Sequence, residues 1–364
     1  MGSVEERIKE LEHLIATCQY NKRTQKAIGL YKAQLAKLKA KQEARSGKSG
    51  KGEGYQVRKT GDGTVILLGF PSVGKSTLLN QLTGANSEVG EYAFTTLTVV
   101  PGVLRFNHAK IQVLDVPGIV KGAASGKGRG REVLACMRSA DLCLILLDAH
   151  HPEHLSVIKK EVFETNIRLD QTRPDVKIKK KTRGGISIGT TVKLSRIDPD
   201  TIEAILKEFR INNADVVIRE DIDADQLIDV IEGNRVYMPS LVVLNKIDEL
   251  SKKELEAVKR KVHPDICISA KNNEHVEELK ALIFEKLGLI SVFLKEPGKA
   301  ADMEEPLIMF RGASVRDVCE KLHKDFVKNF KFARVWGRSA KFGGQKVMLG
   351  HCLENGDVLE LHIR

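Results

Sequence analysis

Two apolar stripes at helical spacing open the chain. Ile8, Leu11, Leu14 and Ile15 make the first; Ile28, Leu30, Tyr31, Leu35 and Leu38 make the second, with the polar stretch YNKRTQ between them. Apolar positions three and four apart share one face of a helix, so residues 4–44 are predicted as two helices. The following ARSGKSGKGEG offers nothing to bury and reads as a flexible linker. From Thr64 the texture changes to short continuous apolar runs, at 64–68, 111–114, 142–147, 241–244 and 266–268, with helical stretches between. Runs that are apolar on both faces suit a mostly parallel sheet covered on both sides, an α/β fold.

The spacing of these runs is uneven. From Asp115 to Asn245 is 130 positions, far more than one strand–helix–strand unit needs. Within that interval, residues 174–236 are predicted to form an inserted α/β module. GISIGTTVKLS reads as a strand or hairpin, Asp198-Pro199 caps a helix running to about Phe209, ADVVIRE reads as a strand, and DADQLIDVIEG as a second helix. The module's entry, KIKKKTRGG, is a basic run read as either an RNA contact or a solvated loop. After about Ile290, PLIMF, GASVRDVCEKLHKDF, KFARVWG, QKVML and DVLELHIR alternate strand, helix and three strands, a compact β-grasp-like unit. Trp336, the only tryptophan, is expected in the core of that unit. The boundaries drawn are a helical hairpin at 1–45, a linker at 46–62, a central domain at 63–173 and 237–289, the insertion at 174–236, and the C-terminal unit at 290–364.

Composition narrows the setting. The 364 residues are 42% hydrophobic, yet no stretch approaches the roughly 18 apolar residues of a membrane span. The charged start MGSVEERIKELEHL does not resemble a secretory signal, and the six cysteines are scattered without a C-x-x-C pair. A soluble cytoplasmic protein is therefore expected. The net charge of +11 is concentrated at the ends, +8 in residues 1–60 and +3 in 290–364, around a neutral middle. Basic ends on a neutral body suit contact with a polyanion such as ribosomal RNA.

The chemistry is carried by five elements in a fixed order. LLGFPSVGKSTLLNQL places Gly69-x-x-x-x-Gly74-Lys75-Ser76 between a predicted strand and a predicted helix, the context of a phosphate loop. Its glycines let backbone N–H groups face phosphates, Lys75 supplies a point charge to the outer phosphates, and the Ser76 hydroxyl suits Mg2+. EYAFTTLTVVPG offers Thr95 and Thr96 as candidates for Mg2+ and for sensing a third phosphate. Asp115-Val116-Pro117-Gly118 follows a strand: Asp115 is expected to hold Mg2+ through water, and the Gly118 N–H to meet the γ-phosphate. Asn245-Lys246-Ile247-Asp248 ends a buried strand, and its Asp248 carboxylate can accept two hydrogen bonds from guanine, where adenine has neither donor. The Lys246 stem can lie over the base, and Asn245 can tie the base end to the phosphate loop. Ser269-Ala270-Lys271 closes the set, the Ala270 N–H being placed to meet guanine O6. Together these elements select GTP, with Lys75, Gly118 and one of Thr95 and Thr96 in catalytic positions, and with Ser76, Asp115 and the same threonine around Mg2+. The expected nucleotide contacts also include Phe70, Pro71, Ser72, Val73, Thr77 and Phe94.

GFPSVGKST, YAFTTLT, VPGV, DVPGI, GKGRGRE, EGNRVYMPS before NKID, KFARVWG and DVLELHIR resemble, over essentially the whole chain, the developmentally regulated GTP-binding proteins, relatives of the Obg GTPases. The resemblance implies a P-loop GTPase domain interrupted by a module similar to domain 2 of ribosomal protein S5, preceded by a helical hairpin and followed by a TGS domain. It implies a cytoplasmic, ribosome-associated GTPase stabilised by a dedicated regulatory protein, with no membrane or DNA partner. It selects Thr96 over Thr95 as the Mg2+ ligand and extends to GTPases stimulated by K+. Such enzymes often carry Asn where this chain has Ser72, whose hydroxyl still offers an oxygen. Lys121 stands where relatives tend to be acidic.

Many GTPases place a glutamine after the Asp-x-x-Gly turn to orient water; this chain has Ile119. Catalysis then rests on charge stabilisation and positioning, with a monovalent cation or Arg129 or Arg131 as the added charge. Slow intrinsic turnover is expected. The alternative is a ribosome- or partner-binding scaffold whose nucleotide is structural. In DAHHPEH, Pro152 interrupts any helix and neither an acidic nor a Cys partner is identified, so His150, His151 and His154 are not expected to bind metal.

Overall fold

The structure, a computed structural model, describes residues 4–19, 21–46, 61–84, 100–115 and 137–363. In chain order, α1 (Val4–Thr17) and α2 (Gln25–Ser46) come first. Then follow β1 (Gly63–Leu68), α3 (Lys75–Thr83), β2 (Val100–Phe106), β3 (Ala109–Asp115), β4 (Leu142–Asp148) and α4 (His154–Glu164). Next are β5 (Ile167–Leu169), β6 (Val176–Lys180), β7 (Ile186–Thr190), α5 (Pro199–Glu208), β8 (Ala214–Ile218), α6 (Ala224–Glu232) and β9 (Val236–Met238). The chain continues with β10 (Ser240–Asn245), α7 (Lys252–Val262), β11 (Ile266–Cys267) and α8 (Val276–Lys286). It ends with β12 (Leu289–Lys295), β13 (Leu307–Phe310), α9 (Val315–Leu322), α10 (Lys324–Lys328), β14 (Phe330–Trp336), β15 (Gln345–Val347) and β16 (Val358–Ile363). No helix among the described residues is long and apolar enough to cross a membrane.

Two compact units result, Met1–Gly54 with Asn166–Tyr237 and Tyr55–Thr165 with Met238–Arg364. In the second, six strands run in the order β11-β10-β4-β1-β3-β2. All neighbours are parallel except β2, which pairs antiparallel to β3 at the edge. Every residue of β1, β4 and β10 is buried, as a sheet covered on both faces demands. Leu78, Leu79 and Leu82 of α3 and Val276, Leu279 and Ile283 of α8 pack into that core. Register pairs Leu67 with Asp115 and Asn245 with Asp148, so the strands' carboxyl ends form one edge. Strand β2 lay hidden in the sequence because Pro101 and Gly102 look like a turn. On an edge strand the missing proline donor is tolerated, and Gly102 is small because a Cβ would sit 2.4 Å from Thr83 Cγ2.

The same unit carries a five-stranded β-grasp sheet, β13-β12-β16-β14-β15. Val315, Val318 and Cys319 of α9 pack on Ala333, Val335 and Leu359. Alternation sends the neighbours of those strand residues to the opposite face. Trp336 is there, partly exposed rather than in the core, with Lys295 Nζ 4.7 Å from its ring centroid. Along the strand from two buried small residues, period-two alternation decides its side, and its size does not.

In the other unit, α2 packs on α5. Its Gly29 makes room, since a Cβ would come within 2.8 Å of Thr201 Cγ2 and 3.3 Å of Ile205 Cδ1. Lys32 pairs with Asp225 at 2.6 Å, Lys37 with Glu208 at 2.7 Å, and Gln25 Nε2 donates to Arg196 O at 2.7 Å. Asp198 caps α5 by accepting from Thr201 N–H, and Asp223 and Gln226 form a capping box on α6. A three-stranded sheet, β6-β8-β7, completes the module. The basic run expected as an entry loop is therefore partly strand β6. Val176 and Ile178 pack against the core while Lys177 and Lys179 point away. Beside it Asp229, 4% exposed, accepts from Arg168 Nε at 2.6 Å, Arg168 Nη2 at 2.8 Å and Arg235 Nε at 2.6 Å, so its buried charge is fully paired.

Candidate functional site

The loop between β1 and α3 leaves the sheet at its carboxyl edge, where parallel α/β sheets bind ligands. A Cβ on Gly69 would lie 2.7 Å from Leu146 O, so the loop must start with glycine to leave the sheet here. Ser72 (φ 64°) and Gly74 (φ 95°) are left-handed, the kind of turn that aims successive N–H groups into a concavity. At Gly74 a side chain is doubly excluded, because a Cβ would also sit 2.5 Å from Asn245 Nδ2. Helix α3 begins at Lys75, and Ser76 and Thr77 are exposed in its first turn, beside its positive end.

Lys75 and Asp115 face one another across this turn. Lys75 Nζ donates to Gly69 O and Phe70 O, both at 3.1 Å. Burial lowers its pKa, and the Asp115 carboxylate partly offsets that. Asp115 is 8% exposed; burial raises its pKa and Lys75 opposes the rise. Its Oδ1 is buried without a hydrogen-bond partner among the described residues. A cation with a hydrated oxygen shell would satisfy that atom, so the residues present fit Mg2+.

The other end of the site is built on β10. Asn245, buried, donates from Nδ2 to Val73 O at 2.8 Å and accepts at Oδ1 from Ala270 N–H at 2.9 Å. One side chain thus ties the phosphate loop to the 269–271 loop. That bond occupies the donor expected to meet guanine O6, so O6 would have to share the Ala270 N–H. Ser269 is buried, and its Oγ accepts from Asn272 N–H at 3.1 Å; Lys271 is exposed. Lys246 is left-handed (φ 65°), and a 3-10 turn (Ile247–Glu249) presents Asp248 to solvent with no hydrogen bond to any described residue.

Sequence reasoning missed Asp148. Lys246 Nζ donates to its Oδ2 at 2.7 Å, and its Oδ1 accepts from His150 N–H at 2.9 Å and lies 3.0 Å from His150 Nδ1. Burial pushes this carboxyl up, but the hydrogen bonds from Lys246 and His150 outweigh it and hold the pKa at about 2. A carboxylate ending the otherwise apolar LCLILLD was the available signal. The structure brings together Gly69, Phe70, Pro71, Ser72, Val73, Gly74, Lys75, Ser76, Thr77 and Asp115 at one end and Asn245, Lys246, Ile247, Asp248, Ser269, Ala270 and Lys271 at the other. Phe94, Thr95, Thr96, Val116, Pro117, Gly118, Ile119, Lys121, Arg129 and Arg131 lie outside the described residues.

Three family models match the chain: a 50S ribosome-binding GTPase domain over residues 64–180, the C-terminal region of that domain over 183–289, and a TGS domain over 290–363. An uncharacterized GTP-binding protein of Methanocaldococcus jannaschii is 57% identical, covering 99% of this chain and 93% of its own. Developmentally-regulated GTP-binding protein 1 of Xenopus laevis is 45% identical and protein 2 of Homo sapiens 44%, each covering 98% of both chains. Among solved structures, Aquifex aeolicus Era bound to GDP and aluminium fluoride is 21% identical over 76% of this chain and 72% of its own. Its TM-score of 0.33 is too low to bear on function.

Proposed function

Because the chain belongs to the developmentally regulated GTP-binding protein family, we propose that it hydrolyses GTP to GDP and phosphate and acts as a ribosome-associated switch. The observation that carries the reading is the buried Asp115, one oxygen of which is left unsatisfied, at the strand end beside the Gly69–Ser76 turn. A purely structural nucleotide site would not need the γ-phosphate sensor that Thr96 and Gly118 provide in this reading.

In this reading the turn's N–H groups and Lys75 hold the phosphates, and displacement of Lys75 Nζ from the Gly69 and Phe70 carbonyls frees its charge for them. Ser76, Thr96 and Asp115 hold Mg2+, which when bound neutralises charge developing on the transferred phosphoryl group. The Gly118 N–H meets the γ-phosphate, so Thr96 and Gly118 report the third phosphate. Asp248 reads guanine, Lys246 covers the base, and Asn245 joins the two ends. Ile119 cannot orient water, so turnover is slow and rests on charge; Ser72 offers K+ a hydroxyl oxygen.

The ribosomal role draws on the family model's description, a 50S ribosome-binding GTPase, and on the basic residues of the chain's ends. The regulatory protein partner and the cytoplasmic setting follow from the family alone. The test is GTP turnover by the pure protein in Mg2+, with K+ against Na+, beside Lys75→Ala. Turnover that rises in K+ and is lost without Lys75 is expected. No turnover in either salt, with or without ribosomes, would reduce the protein to a nucleotide-bound scaffold.

A further inference from the structure

A second cluster of ligating side chains stands beside the phosphate loop, on the turn that leads from β4 into α4. Pro152 ends the preceding segment, and the His154 N–H donates to His151 O at 3.2 Å, closing one turn. Residues three apart on a turn face the same way. The rings of His151 and His154 accordingly lie near one another, with centroids 5.1 Å apart and planes 24° from parallel. Glu153 lies between them in sequence and turns its Oε1 to 3.2 Å from His151 Nδ1. One ring nitrogen from each histidine and one oxygen of Glu153 all lie within 4.8 Å of one another. Pro152 lies within this turn, and Glu153, between the two histidines, is the acidic group beside them.

We infer that His151, Glu153 and His154 form a binding site for a divalent transition-metal ion of the Zn2+, Co2+ or Ni2+ class. Two imidazoles and one carboxylate are a donor set such ions accept while leaving a position open for water. In a tetrahedral shell with bonds of about 2.0–2.1 Å the ligands stand about 3.3 Å apart, so the cluster must contract by up to about 1.5 Å. His151 and Glu153 are each 57% exposed, and rotation of their side chains supplies that movement. His154 is held in place: its ring stacks on Phe70 with centroids 3.8 Å apart and planes 16° from parallel. Its Nδ1 is buried and has no hydrogen-bond partner among the described residues, so the ring's bonding capacity is not fully used. His150 is separate, turned to Asp148. Because Phe70 belongs to the phosphate loop and its carbonyl receives Lys75, an ion here sits one ring away from that loop.

The experiment is titration of the full chain with Co2+ in excess Mg2+, which fills oxygen-rich sites. It is read by visible ligand-field absorption and by calorimetry with Zn2+. One equivalent is expected to bind, with affinity at least about tenfold weaker in His151→Ala and in Glu153→Gln and retained in His150→Ala. Both substituted residues are exposed, so loss of folding does not cloud the result. No binding, binding indifferent to His151→Ala, or a sulfur-to-metal charge-transfer band assigning the ion to a cysteine would overturn the site. Nucleotide is absent throughout, so the outcome is independent of GTP hydrolysis.

Discussion

Asp148 holds Lys246, the residue expected to cover the base, by the hydrogen bond from its Nζ. Without it, Lys246 keeps its left-handed backbone but loses the partner that holds its stem in place. Asp148→Asn is predicted to weaken GDP binding about 5- to 20-fold, the equivalent of roughly 1–2 kcal/mol. It should leave the preference for guanine over xanthine intact, because in the proposed reading Asp248 sets that preference. Asp248→Asn, by contrast, should move the preference to xanthine; competition binding with GDP and XDP separates the two roles. The pair has a pH signature as well. Its carboxyl is held at about 2, below the ordinary 3.8, so its contribution is complete above about pH 4 and is lost as pH falls through 2. Urea unfolding should therefore show Asp148→Asn about 1–2 kcal/mol less stable at pH 7, the gap closing near pH 2. A gap that persists there would mean the loss is packing, not charge.

At the scale of elements, the sequence announces the pieces whose patterns are local. The apolar runs at 64–68, 142–147 and 241–244 lie within β1, β4 and β10, because a strand buried on both faces has little freedom of composition. The Asp198-Pro199 cap places α5, since one carboxylate and one fixed φ mark a helix start. Some edge and short strands escape. Strand β2 contains a proline and a glycine, β6 reads as a run of lysines, and β5 and β9 hold three residues each, too few to show a period. In the candidate site, the described motif residues do meet at the strand ends as their order suggests, while the Asn245–Ala270 bond and the Asp148–Lys246 pair were not legible, being contacts between elements far apart in sequence. The packing of α2 on α5 is of the same kind, and it turns on Gly29. Gly29→Leu should force the helices apart and destabilise that unit by about 1–3 kcal/mol, as overpacking does. Faster limited proteolysis within residues 1–46, with GDP binding unchanged, is the expected readout. An unaltered cleavage rate would show that the interface tolerates the added volume.

For the whole molecule, the question is where a polyanion would be met. The open face of the β-grasp sheet interleaves aromatic and basic groups. Phe332 stacks on His362 at 4.2 Å, Lys346 Nζ lies 4.4 Å from the Phe332 centroid, and Lys295 covers Trp336. Glu360, the acidic residue on this face, is buried and bonded to Lys295 and to His362 Nε2, so it presents little negative charge. Aromatic platforms with interleaved cations suit unpaired nucleotides, which stack while their phosphates meet the charges. Lys295 is unsuitable for a test because removing it strands the buried Glu360. Arg334 and Lys346 are exposed, and their conversion to Glu leaves the core side of the sheet untouched. Arg334→Glu with Lys346→Glu should weaken co-sedimentation with ribosomes and lower its dependence on log salt by about two, one for each phosphate no longer neutralised. GTP turnover of the free protein should not change, since the phosphate loop and the residues proposed to read guanine stand on the other sheet of the same unit. Unaltered co-sedimentation would move the proposed ribosomal contact to the basic N-terminal segment, where residues 1–60 carry most of the chain's excess charge.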